Sequence, residues 1–319
     1  MRTIIAVMAP AVLLLAIHPI DAGAQLLCEI TNDPHKVLLS YDDVNNFVRA
    51  LDMMDEGLDS VTIVQKEYLD KASPGLREYV RGNDVKAEDF VEAIREHRNK
   101  YSMLRGLPRQ LASQEEAVYQ ALVGLKGVVP NAAFVPVYYF VGIGDAGLHA
   151  EPSEYGLLIA MMEMTSDPSV IRLVLVHETV HVQQALMIGI EEYMQIFGPK
   201  MSLLALAIRE GSAEFLTYLA TGEYAKERAY EYLIENERSL WQRFQSEMNE
   251  RLPGDWMFSD PSDPEQPIDL GYVMGARIVQ AFYDRAEDKT EAVQEILSII
   301  DYPEFLKRSG YPEKFGSTN

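Results

Sequence analysis

Residues 173–184 read LVLVHETVHVQQ, and His177, Glu178 and His181 are the side chains there whose types and spacing could do chemistry. The chain has only 6 histidines, so two of them four positions apart need a reason. On a helix, residues four apart share a face, and both imidazoles can then reach one ion. Zinc takes imidazole nitrogens at about 2.0–2.1 Å, which ligands on adjacent turns can satisfy. Glu178 is rotated by one residue, so it stands beside such an ion rather than on it. A base needs that position to take a proton from water the ion activates. H-E-x-x-H thus supplies two ligands and a base from five residues. The alternative is chance, since such a pentapeptide turns up in roughly one chain in a hundred of this length.

A third ligand separates the two readings. Downstream, LALAIREGSAEFLTYLATG (204–222) has helical periodicity, and its Glu210 and Glu214 again lie four apart on one face. The intervening residues 182–209 are enough to finish one helix, turn and return antiparallel. Gly211 and Ala213 are small, which would let the second helix come close enough for a short carboxylate to reach an ion on the first. Taken alone, the two glutamates would read as a solvated face. Beside H-E-x-x-H they read as a ligand and its neighbour, and spacing does not say which is which. The one that is not a ligand can accept a hydrogen bond from the outer nitrogen of a ligating histidine.

Three further residues carry two readings or a plain one. Tyr272, in GYVMG (271–275), could donate its hydroxyl to an oxyanion at a scissile carbonyl, or it packs between helices. His149, in GLHAEPSEYG, is either a substrate contact or a loop histidine without that role. His97 lies among charged residues and reads as a solvated helix position.

These side chains must be held by a core, and the chain has material for one. It has 319 residues, 48% hydrophobic and 24% charged, enough for one large domain or two modest ones and unlike a disordered chain. With 49 acidic against 28 basic residues the formal charge is -21, which repels phosphate backbones and anionic lipid and argues against nucleic acid as a partner. Residues 1–24 have Arg2, an apolar stretch from Thr3 to Ile17 and Ala22-Gly23-Ala24, the pattern of an export signal cut after Ala24. The alternative, an uncleaved anchor, is opposed by Pro10, His18 and the shortness of the run. After cleavage no segment is long enough to span a bilayer, so the expected location is periplasmic or secreted. Cys28 follows Leu26-Leu27 rather than the small residues a lipid-attachment signal needs, and a single cysteine cannot form an internal disulfide.

Residues 40–126 read as helices with short breaks. One carries Val44, Phe47, Val48 and Leu51, and Ser60 caps the next. Pro74 suits the first turn of a third, and further helices cover 86–103 and 113–126. The period then changes. AAFVPVYYFVG (132–142) and YGLLIAMME (155–163) read as strands of a small sheet with a connector between them. From Pro168 the chain is helical again over 168–188, 200–221, 223–250, 271–286 and 290–300.

HETVH (177–181) followed by REGSAEF (209–215) resembles the gluzincin metallopeptidases, marked by H-E-x-x-H and a Glu in a later E-G-x-A-type helix. In particular the chain is similar to a bacterial family of predicted zinc-dependent proteases. There Gln follows H-E-x-x-H, as Gln183 and Gln184 do here, and a later helix carries G-Y-x-x-G, as at 271–275. The resemblance covers residues 132–286, with a looser echo in EYLDKASPGL (67–76). It implies one zinc per chain held by His177, His181 and Glu210, with Glu178 as base and proton shuttle. Glu214 then stands behind a ligating histidine. It implies an α+β, mostly helical fold: a zincin-like catalytic core (128–319) with a small sheet beside the H-E-x-x-H helix, and an N-terminal helical region (25–127). YGLLIAMME would be the strand edging the cleft and pairing with an extended peptide or protein substrate. No aminopeptidase box with an N-terminus-binding glutamate accompanies it, although Glu163 lies on that strand. The expected activity is peptide-bond hydrolysis. The alternatives are a zinc-binding but catalytically weak periplasmic assembly factor of the same fold, and a helical interaction protein with a fortuitous motif.

Overall fold

The computed structural model describes residues 26–55, 59–144, 147–198, 200–258 and 265–316. The expected export signal, residues 1–24, lies outside them. The fold of the described residues is α+β and mostly helical, with a small four-stranded sheet. Among the described residues no helix is long and apolar enough to cross a membrane.

The N-terminal periodicity becomes a series of helices: α1 (Asp42–Asp55), α2 (Ser60–Ile63), α3 (Pro74–Gly82), α4 (Ala87–Glu96), α5 (Arg98–Met103) and α6 (Leu107–Val128). In α1, Val44, Phe47 and Leu51 are buried as their spacing requires, and Val48 is half-buried. Pro74 opens α3, with the Ser73 hydroxyl accepting from the Leu76 amide. The expected helix over 86–103 is broken at His97, whose ψ of 42° leaves the helical range; its side chain is exposed, as read.

The strands are β1 (Leu39–Ser40), β2 (Val137–Val141), β3 (Leu148–Ser153) and β4 (Gly156–Met161), in the order β1-β2-β4-β3. β2 pairs in parallel with both β1 and β4, and β3 pairs antiparallel to β4. VYYFV and GLLIAM are buried along their whole length, which is why they read as unbroken apolar runs instead of alternating ones. Two expectations are corrected here. The connector between the predicted strands itself contains β3, hidden in the sequence because His149, Glu151 and Pro152 occupy its less buried positions. And β4 does not edge a cleft. Both of its sides are taken, by β2 and β3, so its backbone cannot pair with a substrate.

The described residues gather into two compact units, 26–119 with 133–175 and 120–132 with 176–316. The strands belong with the N-terminal helices, and α6 runs from one unit into the other, as does α7 (Val170–Ile188).

The second unit continues from α7 with α8 (Ile190–Met194), α9 (Leu203–Thr221), α10 (Glu227–Glu247), α11 (Leu270–Arg285), α12 (Lys289–Leu297) and α13 (Tyr302–Ser309). Ser202 caps α9 by accepting from the Ala205 amide, and Gly222 ends it at φ 79°. Every residue from Leu203 to Thr217 is buried. α8 and α13 are additions to the expected helices; Asp301 caps α13 and Gly310 closes it at φ 65°.

Gly211 has a role different from the expected one. A Cβ there would overlap the backbone of Gly275 and Ala276 on α11, and a Cβ on Gly275 would overlap the Ala207 carbonyl. The small residue thus serves backbone contact between α9 and α11. The second glycine of GYVMG is the matching half of that contact. Gly275→Ala should therefore destabilise the protein by more than about 3 kcal/mol, because the obstructing atoms are backbone and cannot rotate away. Denaturant unfolding of both proteins measures this, and an unchanged midpoint would mean that the helices separate freely.

Candidate metal centre

α7 and α9 bring His177, His181 and Glu210 together. One potential ligand atom from each lies within 4.8 Å of the others, and all three residues are buried. Nε2 of His177 and Nε2 of His181 are 3.1 Å apart, and they lie 3.1 Å and 3.2 Å from Glu210 Oε2. The spacing of H-E-x-x-H puts both imidazoles on one face of α7, as the sequence required.

The outer nitrogens decide what this triangle means. His177 Nδ1 lies 3.3 Å from Glu214 Oε1, and His181 Nδ1 lies 2.8 Å from Gln184 Oε1. The Gln184 amide is oriented by its other end, since Nε2 donates to the Arg209 carbonyl at 3.3 Å. An acceptor at each Nδ1 keeps a proton there, so a neutral imidazole turns a bare lone pair inward at Nε2. Two such lone pairs and a carboxylate oxygen face one another. Arranged this way they need positive charge between them, from protons or from a metal ion.

The charge balance of the site points the same way. Burial opposes a charge on His177, but Glu210 and Glu214, one at each ring nitrogen, push its pKa up to about 10. Burial likewise opposes the Glu210 carboxylate, and His181 and His177 nevertheless hold it well below the usual carboxylate range. The cluster could take up a cation, a proton or a metal ion. The donor set also fits zinc: tetrahedral bonds of about 2.0–2.1 Å separate donor atoms by about 3.3 Å, close to the 3.1–3.2 Å edges of this triangle.

The remaining residues named from the sequence are distributed as follows. Glu178 is 8% exposed and follows His177 on α7. Tyr272 on α11 is 2% exposed, its ring centroid 6.0 Å from that of His177. Lys226 lies over the Tyr272 ring at 4.5 Å and pairs with Asp269 at 2.8 Å. Burial, and then the surrounding carboxylates, raise the Tyr272 hydroxyl well above its ordinary pKa, so it stays protonated and able to donate. His149 stands on β3, in the other compact unit, 3.6 Å from Glu151. The sequence pattern assigns Gln184 no role. The signal for it is its place three residues after His181, on the same helical face.

No protein-family model, curated protein or solved structure matches the chain.

Proposed function

We propose that this chain is a zinc-dependent hydrolase of peptide bonds, of the gluzincin kind its motifs resemble. The observation that carries the reading is the triangle of two Nε2 atoms and Glu210 Oε2, with an acceptor at each outer nitrogen. His177, His181 and Glu210 would hold the ion. Bound there, zinc supplies a Lewis acid that makes water nucleophilic near neutral pH and polarises the scissile carbonyl. Glu178, adjacent in sequence to a ligand and shielded from solvent, accepts the proton of the attacking water and returns it to the leaving amine. Glu214 and Gln184 hold the imidazoles in the required tautomer and orientation. Tyr272, protonated and beside His177, donates to the developing oxyanion. The export signal read in residues 1–24 puts the mature enzyme in the periplasm or outside the cell, acting on peptides or proteins.

Elemental analysis and a peptide library test this together. Purified without chelator, the mature chain should carry about one zinc. Cleavage of the library should stop when the metal is stripped and resume when zinc is restored. Metal-free protein overturns the whole reading. A zinc-loaded protein that cleaves nothing overturns the enzymatic half and leaves a zinc-binding assembly factor.

A further inference from the structure

We infer that Lys226 is a positioning residue for Tyr272: its ammonium, held by Asp269, fixes the ring that carries the oxyanion-donating hydroxyl. Lys226 would act through Tyr272 and not on the substrate, and this role rests on the zinc-peptidase reading above. Lys226 stands at the entry of α10, its side chain 11% exposed. Its Nζ is 2.8 Å from Asp269 Oδ2, on a side chain 4% exposed, and 4.5 Å from the centre of the Tyr272 ring. Burial opposes the charge on the ammonium, but Asp269 and then Glu214 raise its pKa above the ordinary value, so it stays charged at neutral pH. An ammonium over an aromatic face is attracted by the ring quadrupole, most strongly where water is excluded. A buried ion pair, by contrast, adds little stability over well-packed apolar side chains of the same volume. Packing alone does not ask for a lysine here.

The backbone around Tyr272 converges on the same ring. Among the described residues only Asp84, Phe258 and Asp269 have positive φ without being glycine. Two of the three meet Tyr272. Asp269, at φ 65°, is the N-cap of α11, and its carbonyl accepts the Tyr272 amide at 3.2 Å. Phe258, at φ 66°, sets its ring nearly perpendicular to that of Tyr272, with 6.2 Å between centroids. A bulky side chain in the left-handed region is strained, and such strain persists only where the surroundings over-determine it. Asp269 thus fixes both the backbone of Tyr272 and the cation on its ring. The ring itself is held among His177, Phe258 and Lys226. Of these three, only Lys226 can be changed without touching a metal ligand or releasing backbone strain. Displacing a group that serves the transition state by 1 Å can cost about 10²-fold in rate. Preventing that displacement is the contribution assigned to Lys226.

The test compares wild type, Lys226→Met, Tyr272→Phe and the double variant as zinc-loaded mature chains, on one peptide that the library shows to be cleaved. Lys226→Met should lose about 10–100-fold in kcat, with KM and zinc content unchanged. In the Tyr272→Phe background the same change should cost less than about twofold, since a residue that acts through the hydroxyl has nothing left to act on. A purely structural role would lower zinc content, or lower the rate equally in both backgrounds. A second readout needs no activity. With 3-fluorotyrosine at position 272, the wild type should give one narrow fluorine NMR line, and Lys226→Met two lines or a broadened one, with or without zinc. If Lys226→Met does not fold, Asp269→Asn takes its place in both measurements, because asparagine keeps the left-handed backbone and gives up only the charge that holds the ammonium. Near-normal kcat in the lysine variant, an equal loss in both backgrounds, wild-type activity in Tyr272→Phe, or one narrow fluorine line in Lys226→Met would overturn the role of Lys226. A wild type that cleaves nothing defeats the peptidase reading alone, and the fluorine line then decides whether Lys226 fixes the ring.

Discussion

Glu178→Gln is expected to fold and to hold zinc like the wild type while its rate of peptide hydrolysis falls by about 10²–10⁴-fold, the usual worth of a positioned proton-transfer group. The replacement has the same shape, so the buried position on α7 can accept it without a cavity. Glu178 is outside the cluster of three potential ligands, so the ion has no reason to leave. Only the capacity to accept a proton disappears. Single-turnover cleavage of a library peptide, beside zinc content measured on the same samples, separates the two effects. Near-normal cleavage by a zinc-loaded Glu178→Gln protein would assign the proton to another group.

Glu210→Ala should be isolated essentially free of metal, whereas Glu214→Ala should still bind zinc, about 10–100-fold more weakly. The two carboxylates are one helical turn apart on α9, and the sequence alone ranks neither. Their contacts rank them. Glu210 Oε2 touches both Nε2 atoms, the edges the ion would sit against. Glu214 Oε1 meets only His177, and at its outer nitrogen. Losing Glu210 leaves two donors, too few for tight binding. Losing Glu214 leaves all three but frees the His177 ring to turn. Titration against a competing chelator reads the order directly, and the reverse order would move the third ligand along by one turn.

Most of the site was legible in the sequence because helical periodicity is local. His177 and His181 had to share a face once the run around them was helical, and Glu210 and Glu214 had to share another. What could not be read depends on which element packs on which. Gly211 looked like clearance between α9 and the histidine helix, and nothing in a one-dimensional pattern says that its partner is Gly275 on α11. The YGLLIAM run was correctly a strand, but its place inside the sheet depends on β3. That strand's His149, Glu151 and Pro152 give it the composition of a loop. Gln184 and Arg209 were missed for a related reason. Both lie within or beside the quoted motifs, but their roles rest on a contact between two helices behind His181, which a pattern along one helix does not show.

A helix without an outward face has no silent letters. From Leu203 to Thr217 all of α9 is enclosed, so drift finds no position there where most replacements pass unnoticed. Its apolar and small residues would be kept by packing alone, in an active protein and in an inactive descendant alike. Glu210 and Glu214 would not. In a lineage that had stopped binding an ion, a buried carboxylate is a burden that an amide or a methionine relieves. Decay of the activity would therefore be written first at those two positions, against neighbours that stay unchanged. The carboxylates are the part of this helix that only use can preserve.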